Sequence, residues 1–418
     1  MRIGVINWSR RKIGGVETYL GNIIPALIGK GHELSFWSEV DEPYDRDRIE
    51  LPAGVPAWCV ADLGEERAFE QLRAWRPDIL YVHKVMRPRV EEKLLGLAPA
   101  VFFAHDYYGT CISGLKTHKY PKVVPCNRRF GWGCLLHYYP HRCGGLNPLT
   151  MVKLFHLQSS RLALLFRYRA IVTHSSHMHD EYLRNGLPPE KVHSLSYYAH
   201  TDNDLESHVP VSHQIAHGEP TKKEQFHLLF SGRMDKLKGG QVLLSSLPQV
   251  QTALGVPLTV TFAGDGPERR RWEKEARDLQ SRVQDVRVRF VGWLEKQQLD
   301  SLYAEADLLV FPSQWPEPFG LTGLEAGLHG LPVAAFPVGG VKDWLIDGVN
   351  GYLAESDAPA SPSALAKAII KCLSNREDYA RLCSGALTAT KNFTLNIHLR
   401  ALLRVLEQSL DDNKNGER

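Results

Sequence analysis

Two carboxylates, Glu317 and Glu325, stand seven residues apart where the apolar run Asp307-Leu-Leu-Val-Phe passes through a loop into a helix expected to begin near Leu321. Glu317 falls just before that helix, where the free backbone N–H groups of Phe319, Gly320 and Leu321 can face an anion. Glu325 falls one turn inside, where a carboxylate can accept hydrogen bonds from hydroxyls. A phosphorylated polyol meets both features. A second segment, Phe230-Ser-Gly-Arg-Met-Asp-Lys-Leu-Lys-Gly-Gly, offers the cations Arg233 and Lys238 in a loop after a strand end. Fixed cations aimed at a diphosphate leaving group stabilise a transition state more than a ground state, because negative charge grows there as the bond breaks.

Weaker signals surround these. Phe262-Ala-Gly-Asp-Gly-Pro places Gly264 and Gly266 in a turn after a strand, and Val291-Gly-Trp293 forms another strand-end turn. Near the beginning, Gly14-Gly15-Val16-Glu17 opens a helix with glycines that let backbone approach a phosphate closely. His105-Asp106 and Thr173-His174-Ser175 each end a strand. Asp45-Arg-Asp47 and Asp202-Asn-Asp204 have a metal-nucleotide form, but both lie in polar connecting sequence and are discounted. Cys111, Cys126, Cys134 and Cys143 lack the tight pairs of zinc ribbons, so buried thiols are expected and no metal ligands are assigned.

Alternating elements must position these residues. In the first half, strands are expected at Arg2–Trp8, Glu33–Glu39, Ala57–Ala61, Ile79–His83, Ala100–Asp106, Ala170–Ser176 and Val192–Tyr197. In the second, they are expected at His227–Arg233, Leu258–Gly264, Val286–Trp293, Asp307–Ser313, Pro332–Phe336 and Gly351–Ala354. Helical periodicity separates them, as at Gly15–Lys30, Met151–Arg169, Pro267–Gln280, Leu324–His329 and Asn396–Leu410. Strands alternating with helices imply parallel sheets covered on both faces. The fold class is therefore α/β, with two doubly wound units: residues 1–200, a polar linker at 201–224, and 225–390. Residues 391–418 are expected to form a terminal helix that packs back on the first unit. Two such units leave a cleft, and ligands in open parallel sheets gather beyond the carboxyl ends of strands.

A chain of 418 residues suits two domains. No apolar run reaches the roughly 18 residues that span a bilayer, and Met1 leads directly into a strand, so a cytoplasmic location is expected. The seven cysteines fit reduced thiols. Formal net charge is +3, yet no acidic residue occurs between Asp106 and Asp180, where ten Lys/Arg are interleaved with aromatics. Residues 107–179 are therefore expected to meet an anionic partner, such as a membrane surface or a lipid diphosphate, through Arg128, Arg129, Arg142, Trp132, Tyr138, Tyr139 and a basic helix at Met151–Arg169.

The E-x7-E pattern, with Phe319-Gly320 and the later Gly339-Gly340 turn, resembles the retaining glycosyltransferases of family 4, group 1, which have the GT-B architecture of two Rossmann-like domains facing a cleft. That resemblance is densest from Phe230 to Ala354. It implies transfer of a hexose-type sugar from a nucleotide diphosphate donor to a glycan or lipid-linked acceptor, in surface polysaccharide or glycoconjugate synthesis. It further implies that Glu317 and His105 are the catalytic groups, and that Arg233, Lys238, Gly15, Phe319, Gly320 and Leu321 hold the donor diphosphate. Glu325, Gly264, Val291 and Trp293 would hold the ribose and base. No essential metal or nucleic acid is implied, since the basic pair can neutralise the diphosphate. A nucleotide-sugar epimerase of related fold and a non-catalytic carbohydrate-binding protein are alternatives, and the E-x7-E pattern argues against the first. A phosphorylase of similar fold would need a pyridoxal-binding lysine environment.

Overall fold

The computed structural model describes residues 1–11, 15–40, 48–199, 224–355 and 360–416. Gly14, Asp45-Arg-Asp47, Asp202-Asn-Asp204 and the linker apart from Glu224 lie outside the described residues. By internal contacts the chain divides into two units, the first comprising Met1–Leu115, Asn127–Ser196 and Asn396–Arg418, the second Lys116–Cys126 and Tyr197–Leu395.

The first unit is built on β1 (Arg2–Asn7), β2 (Glu33–Ser38), β3 (Ala57–Cys59), β4 (Ile79–Val82) and β5 (Ala100–Phe103). The chain then makes the short antiparallel pair β6 (Thr117–His118) and β7 (Val124–Pro125), which belongs to the second unit and which no sequence pattern announced. The first sheet is completed by β8 (Ala170–Thr173) and β9 (Val192–Ser194), in the order β3-β2-β1-β4-β5-β8-β9. The second unit's sheet consists of β10 (Phe226–Ser231), β11 (Leu258–Ala263), β12 (Val286–Gly292), β13 (Leu308–Phe311), β14 (Val333–Ala335) and β15 (Gly351–Leu353). Its order is β12-β11-β10-β13-β14-β15, and neighbours in both large sheets run parallel. Central strands read as unbroken apolar runs, as Ile79–Val82 and Leu308–Phe311 do, because helices cover both faces.

Each expected strand of the two large sheets is present, most of them shorter at the carboxyl end than the apolar run. Val82 is the last residue of β4 and Phe103 the last of β5, so His83 and His105 lie just past their strands. The helix expected at Met151–Arg169 runs over Pro148–Leu165, starting at an Asn147 cap whose side chain accepts from the N–H of Leu149. The terminal helix spans Leu395–Gly416, longer than its apolar pattern, and all of it from Asn396 onward groups with the first unit.

That first unit buries charge as well as apolar surface. Arg161 was expected on a basic outer face, but it is buried at 2% exposure. Its Nη2 donates to the carbonyls of Met86 and Val85 at 2.9 and 3.3 Å, and its guanidinium lies over the ring of Tyr108. Nearby, Glu39 accepts from the N–H groups of Met86 and Arg87, and the buried Glu91 accepts from the Tyr168 hydroxyl at 2.7 Å. The long stem of an arginine serves as packing surface when its head finds carbonyls and carboxylates inside. Burial pushes the Glu91 carboxyl up to about 7, against the opposing pull of the Tyr168 hydrogen bond and of Arg161. A raised carboxyl binds its proton more tightly in the folded than in the unfolded chain, so folding stability falls as pH rises from about 4.5 to about 7. Replacing Glu91 with Gln keeps an acceptor for Tyr168 and removes the titration. Urea unfolding at pH 5 and pH 8 should show Glu91→Gln losing less stability across that interval than the parent, by roughly 2–4 kcal/mol; equal losses would contradict the burial argument.

Candidate functional site

The loops after β10, β11, β12 and β13 are pinned to one another by backbone bonds. After β10 the chain passes Gly232 and the exposed Arg233, then makes a short 3₁₀ turn at Lys236–Lys238 that Asp235 caps by accepting from the N–H of Leu237 at 3.0 Å. Gly239 follows in the left-handed region at φ 74°, and a Cβ there would stand 1.9 Å from the Pro312 carbonyl oxygen. Only glycine permits that approach. The Gln314 N–H then donates to Leu237 at 2.8 Å, which fixes the first basic loop against the loop after β13. On the other side, Gly232 donates to Ala263 and Gly264 to Gly292, at 3.0 and 2.7 Å.

These bonds bring Lys238 to Glu317. Lys238 Nζ donates to Glu317 Oε1 at 2.6 Å, and the Ser313 hydroxyl donates to the same oxygen at 2.6 Å. Glu317 is 4% exposed, and Lys238 also lies over the rings of Trp315 and Phe311. The main chain of Glu317 is held as firmly as its side chain. Its carbonyl accepts from Gly340 at 2.7 Å, and Gly339, at φ 56°, leaves no room for a Cβ, which would meet that carbonyl at 2.2 Å. The indole N–H of Trp344 donates to the carbonyl of Phe319 at 2.7 Å, and the Trp344 ring fills the space above Gly323. Gly320, at φ 99°, then opens the helix Leu321–Leu328.

Glu325 lies one turn into that helix, where its Oε2 accepts from the Tyr303 hydroxyl at 3.1 Å. Burial raises its carboxyl above the ordinary range, and the Tyr303 hydrogen bond opposes the shift. Val291 and Trp293, at the end of β12, are 40% and 74% exposed. Beside them a cavity of about 550 Å³ is lined by Asp265, Gly266, Pro267, Arg269, Arg270 and Glu273. The second unit therefore gathers Arg233, Lys238, Glu317, Phe319, Gly320, Leu321, Glu325, Gly264, Val291 and Trp293 at the carboxyl ends of four adjacent strands. Ser313, Tyr303 and Trp344 were not anticipated. Ser313 follows Phe311-Pro312 directly, and a hydroxyl beside a strand end preceding two spaced glutamates was a readable signal.

Gly15 and His105 belong to the first unit. Gly15 begins the helix Gly15–Gly29 and is exposed. His105 is half-buried, its Nε2 2.8 Å from Nδ1 of His83; burial, with Lys84 adding to it, pushes its imidazole down to about 3, so the ring is neutral at physiological pH. His174, 5.3 Å from it ring to ring, is fully buried.

Among the described residues, no group of three or more His, Cys, Asp and Glu side chains is arranged to hold a metal ion. The cysteines are free thiols; Cys126 and Cys134 are half-buried, so expecting all four of the central cluster to be buried was too strong. Tyr138 is buried against Phe130 and Phe155 and offers no outer surface, unlike the 78% exposed Trp132.

A family model described as Glycosyltransferase Family 4 matches residues 13–196, and one described as Glycosyl transferases group 1 matches residues 213–388. The chain belongs to the family 4, group 1 glycosyltransferases. A glycogen synthase of Mycobacterium tuberculosis is 26% identical to this glycosyltransferase over 438 aligned positions, covering 100% of this chain and 96% of the relative. A 41.2 kDa protein in the cps region of Klebsiella pneumoniae is 32% identical over 132 residues, 32% of this chain and 33% of that protein. In architecture the glycosyltransferase is similar to HepE of Anabaena, solved in complex with UDP, at a TM-score of 0.67, 19% identity, and coverage of 98% and 100% of the two chains. Its two parallel-sheet units are those of the GT-B fold.

Proposed function

We propose that the second unit binds the nucleotide diphosphate half of a sugar donor, and that the enzyme transfers a hexose-type sugar with retention to a glycan or lipid-linked acceptor. The observation that carries this reading is the Lys238–Glu317 contact at 2.6 Å, held where the loops after two adjacent strands are bonded to each other. Glu317 engages Lys238 in this structure. A donor diphosphate takes over the ammonium, together with Arg233, and leaves Glu317 to accept from sugar hydroxyls. Both cations then face charge that grows on the leaving phosphate. The backbone at Phe319, Gly320 and Leu321 contributes N–H groups at a helix start, Glu325 takes the ribose hydroxyls, and Gly264, Val291 and Trp293 border the base. His105 is assigned to the donor sugar and Gly15 to the diphosphate. The neighbour HepE was solved with UDP, UDP-glucose and glucose, which makes UDP the first probe. The likeness to a protein of the cps region favours a role in polysaccharide or glycoconjugate synthesis.

UDP, GDP and ADP should separate in thermal unfolding. The diphosphate that fits, at 100 times its dissociation constant, stabilises by about 2.7 kcal/mol. Arg233→Ala should weaken that diphosphate at least about tenfold, since hydrogen bonds to a charged partner contribute roughly 1.5–3 kcal/mol each. Stabilisation by none of the three, or an unchanged affinity in Arg233→Ala, would remove the donor assignment.

The acceptor side of the reading rests on residues 128–153. Trp132, Leu136, Leu146 and Leu149 are each 78% or 79% exposed, and Val152 is 45% exposed. Arg128, Arg129, Arg142 and Lys153 are exposed along the same segment. Large exposed apolar groups among cations suit an anionic lipid surface, where each basic residue contributes about 1 kcal/mol. Of the helix cations, Arg161 is internal and Arg167 pairs with Glu92 at 2.7 Å, so the attachment is carried by the earlier segment. Among the described residues no helix is long and apolar enough to cross a membrane. The protein should co-sediment with phosphatidylglycerol vesicles and be released by salt, and Arg128, Arg129 and Arg142 changed together to Gln should reduce binding without altering diphosphate affinity. Indifference to such vesicles at low salt would favour a soluble acceptor.

A further inference from the structure

Beside His105 the first unit carries a second imidazole that the proposed chemistry does not use. His83 follows β4, where its N–H donates to Ile6 at 2.9 Å, and its side chain is 2% exposed. Its Nδ1 lies 2.8 Å from His105 Nε2, and the rings stack at 5.1 Å between centroids. Its other nitrogen, Nε2, is buried with no hydrogen-bond partner. The rings of Tyr81, Phe103 and Tyr19 surround His83 at 4.3, 5.3 and 5.7 Å.

A nitrogen pair at this distance needs one donor and one acceptor, and both rings are neutral, since burial pushes His83 and His105 below the ordinary histidine range. Two arrangements are open. If His105 donated from Nε2–H, His83 would carry its own proton on Nε2, leaving a buried N–H without a partner. If His83 donates from Nδ1–H, its Nε2 is only a bare lone pair. Buried orphan N–H groups are rarer than under-satisfied acceptors, because each costs the full desolvation of a donor. The flanking tyrosines are committed elsewhere. His398 Nδ1–H must donate to the Ser196 carbonyl at 2.8 Å, so its Nε2 accepts from the Tyr19 hydroxyl at 2.8 Å, and Tyr19 in turn accepts from Tyr81 at 2.7 Å.

The geometry points to His83 as a positioning residue that holds His105 in its Nδ1–H tautomer by donating from its own Nδ1–H to His105 Nε2. The proton on one ring nitrogen is set by the hydrogen bond at the other. Any N–H that His105 gives to a sugar oxygen therefore comes from Nδ1. This consequence for donor contact rests on the reading of His105 given above; the tautomer itself does not.

Long-range ¹H–¹⁵N spectra of the full chain labelled with ¹⁵N-histidine test the assignment, with His105 signals identified by their loss in His105→Gln. The parent should show His105 protonated at Nδ1 and bare at Nε2. His83→Phe should abolish that single-tautomer signature, and His83→Asn, whose amide N–H replaces Nδ1–H, should restore it. A His105 protonated at Nε2 in the parent, or a His105 signature unchanged in His83→Phe, overturns the proposal. If the tautomer is as stated while no nucleoside diphosphate stabilises the protein, the donor reading fails and the positioning role of His83 stands.

Discussion

A carboxylate buried beside a single ammonium is the constraint on which the second unit's loop geometry depends. Glu317 has left water almost completely, and a buried charge is tolerated only when paired and hydrogen-bonded. Lys238 and Ser313 supply that pairing on one oxygen. Lys238 can reach it because Gly239 lets the first basic loop lie directly on the Pro312 carbonyl, and Glu317 stays within reach because Gly339 and Gly340 lie against its own carbonyl. Sheet order explains why these loops meet at all: β10 and β13 are neighbours, so loops leaving their carboxyl ends emerge side by side. The pair is half-open on the lysine side, where the side chain is 27% exposed, so a competing anion can approach the ammonium without first opening the protein.

The same logic, applied to neutral groups, governs the first unit. Histidines at strand ends are driven to the uncharged form by burial, and their protons are then distributed by hydrogen-bond arithmetic rather than by charge. Arg161 and Glu91 belong to a separate buried network, in which carbonyls and a phenol hydroxyl carry much of the compensation. Ionisable residues in this enzyme thus occupy two settings that composition does not distinguish: the strand-end loops of the second unit, where the proposed donor site lies, and the interior beneath the helices, where they hold the fold.

Fold class, and the loop that carries Glu317 and Glu325 into a helix start, were legible because their signals are local. An apolar run as short as Leu308–Phe311, rich in strand-forming residues and closed by Pro312, suits a covered strand, and a glycine-bounded loop with two spaced glutamates marks the helix start that follows. What stayed hidden depends on residues distant in sequence. Arg161 reads as part of a basic helix face, yet it is internal because the carbonyls of Val85 and Met86, 76 and 75 residues away, receive it. The His83–His105 contact joins two strand ends 22 residues apart, and neither residue alone signals the other. Tyr138 and Trp132 look alike in sequence, and only the packing of Phe130 and Phe155 determines which is buried.

The handover of Lys238 from Glu317 to a diphosphate is the central claim, and a double-mutant cycle tests it most directly. Unfolding free energies of the parent, Lys238→Met, Glu317→Gln and the double variant would be measured without ligand and with saturating UDP. Contacting charged residues couple by about 0.5–3 kcal/mol. The account predicts coupling in that range without ligand and a clear reduction once UDP engages the lysine. Additive single-variant effects without ligand, or a coupling that UDP binds without changing, would contradict it.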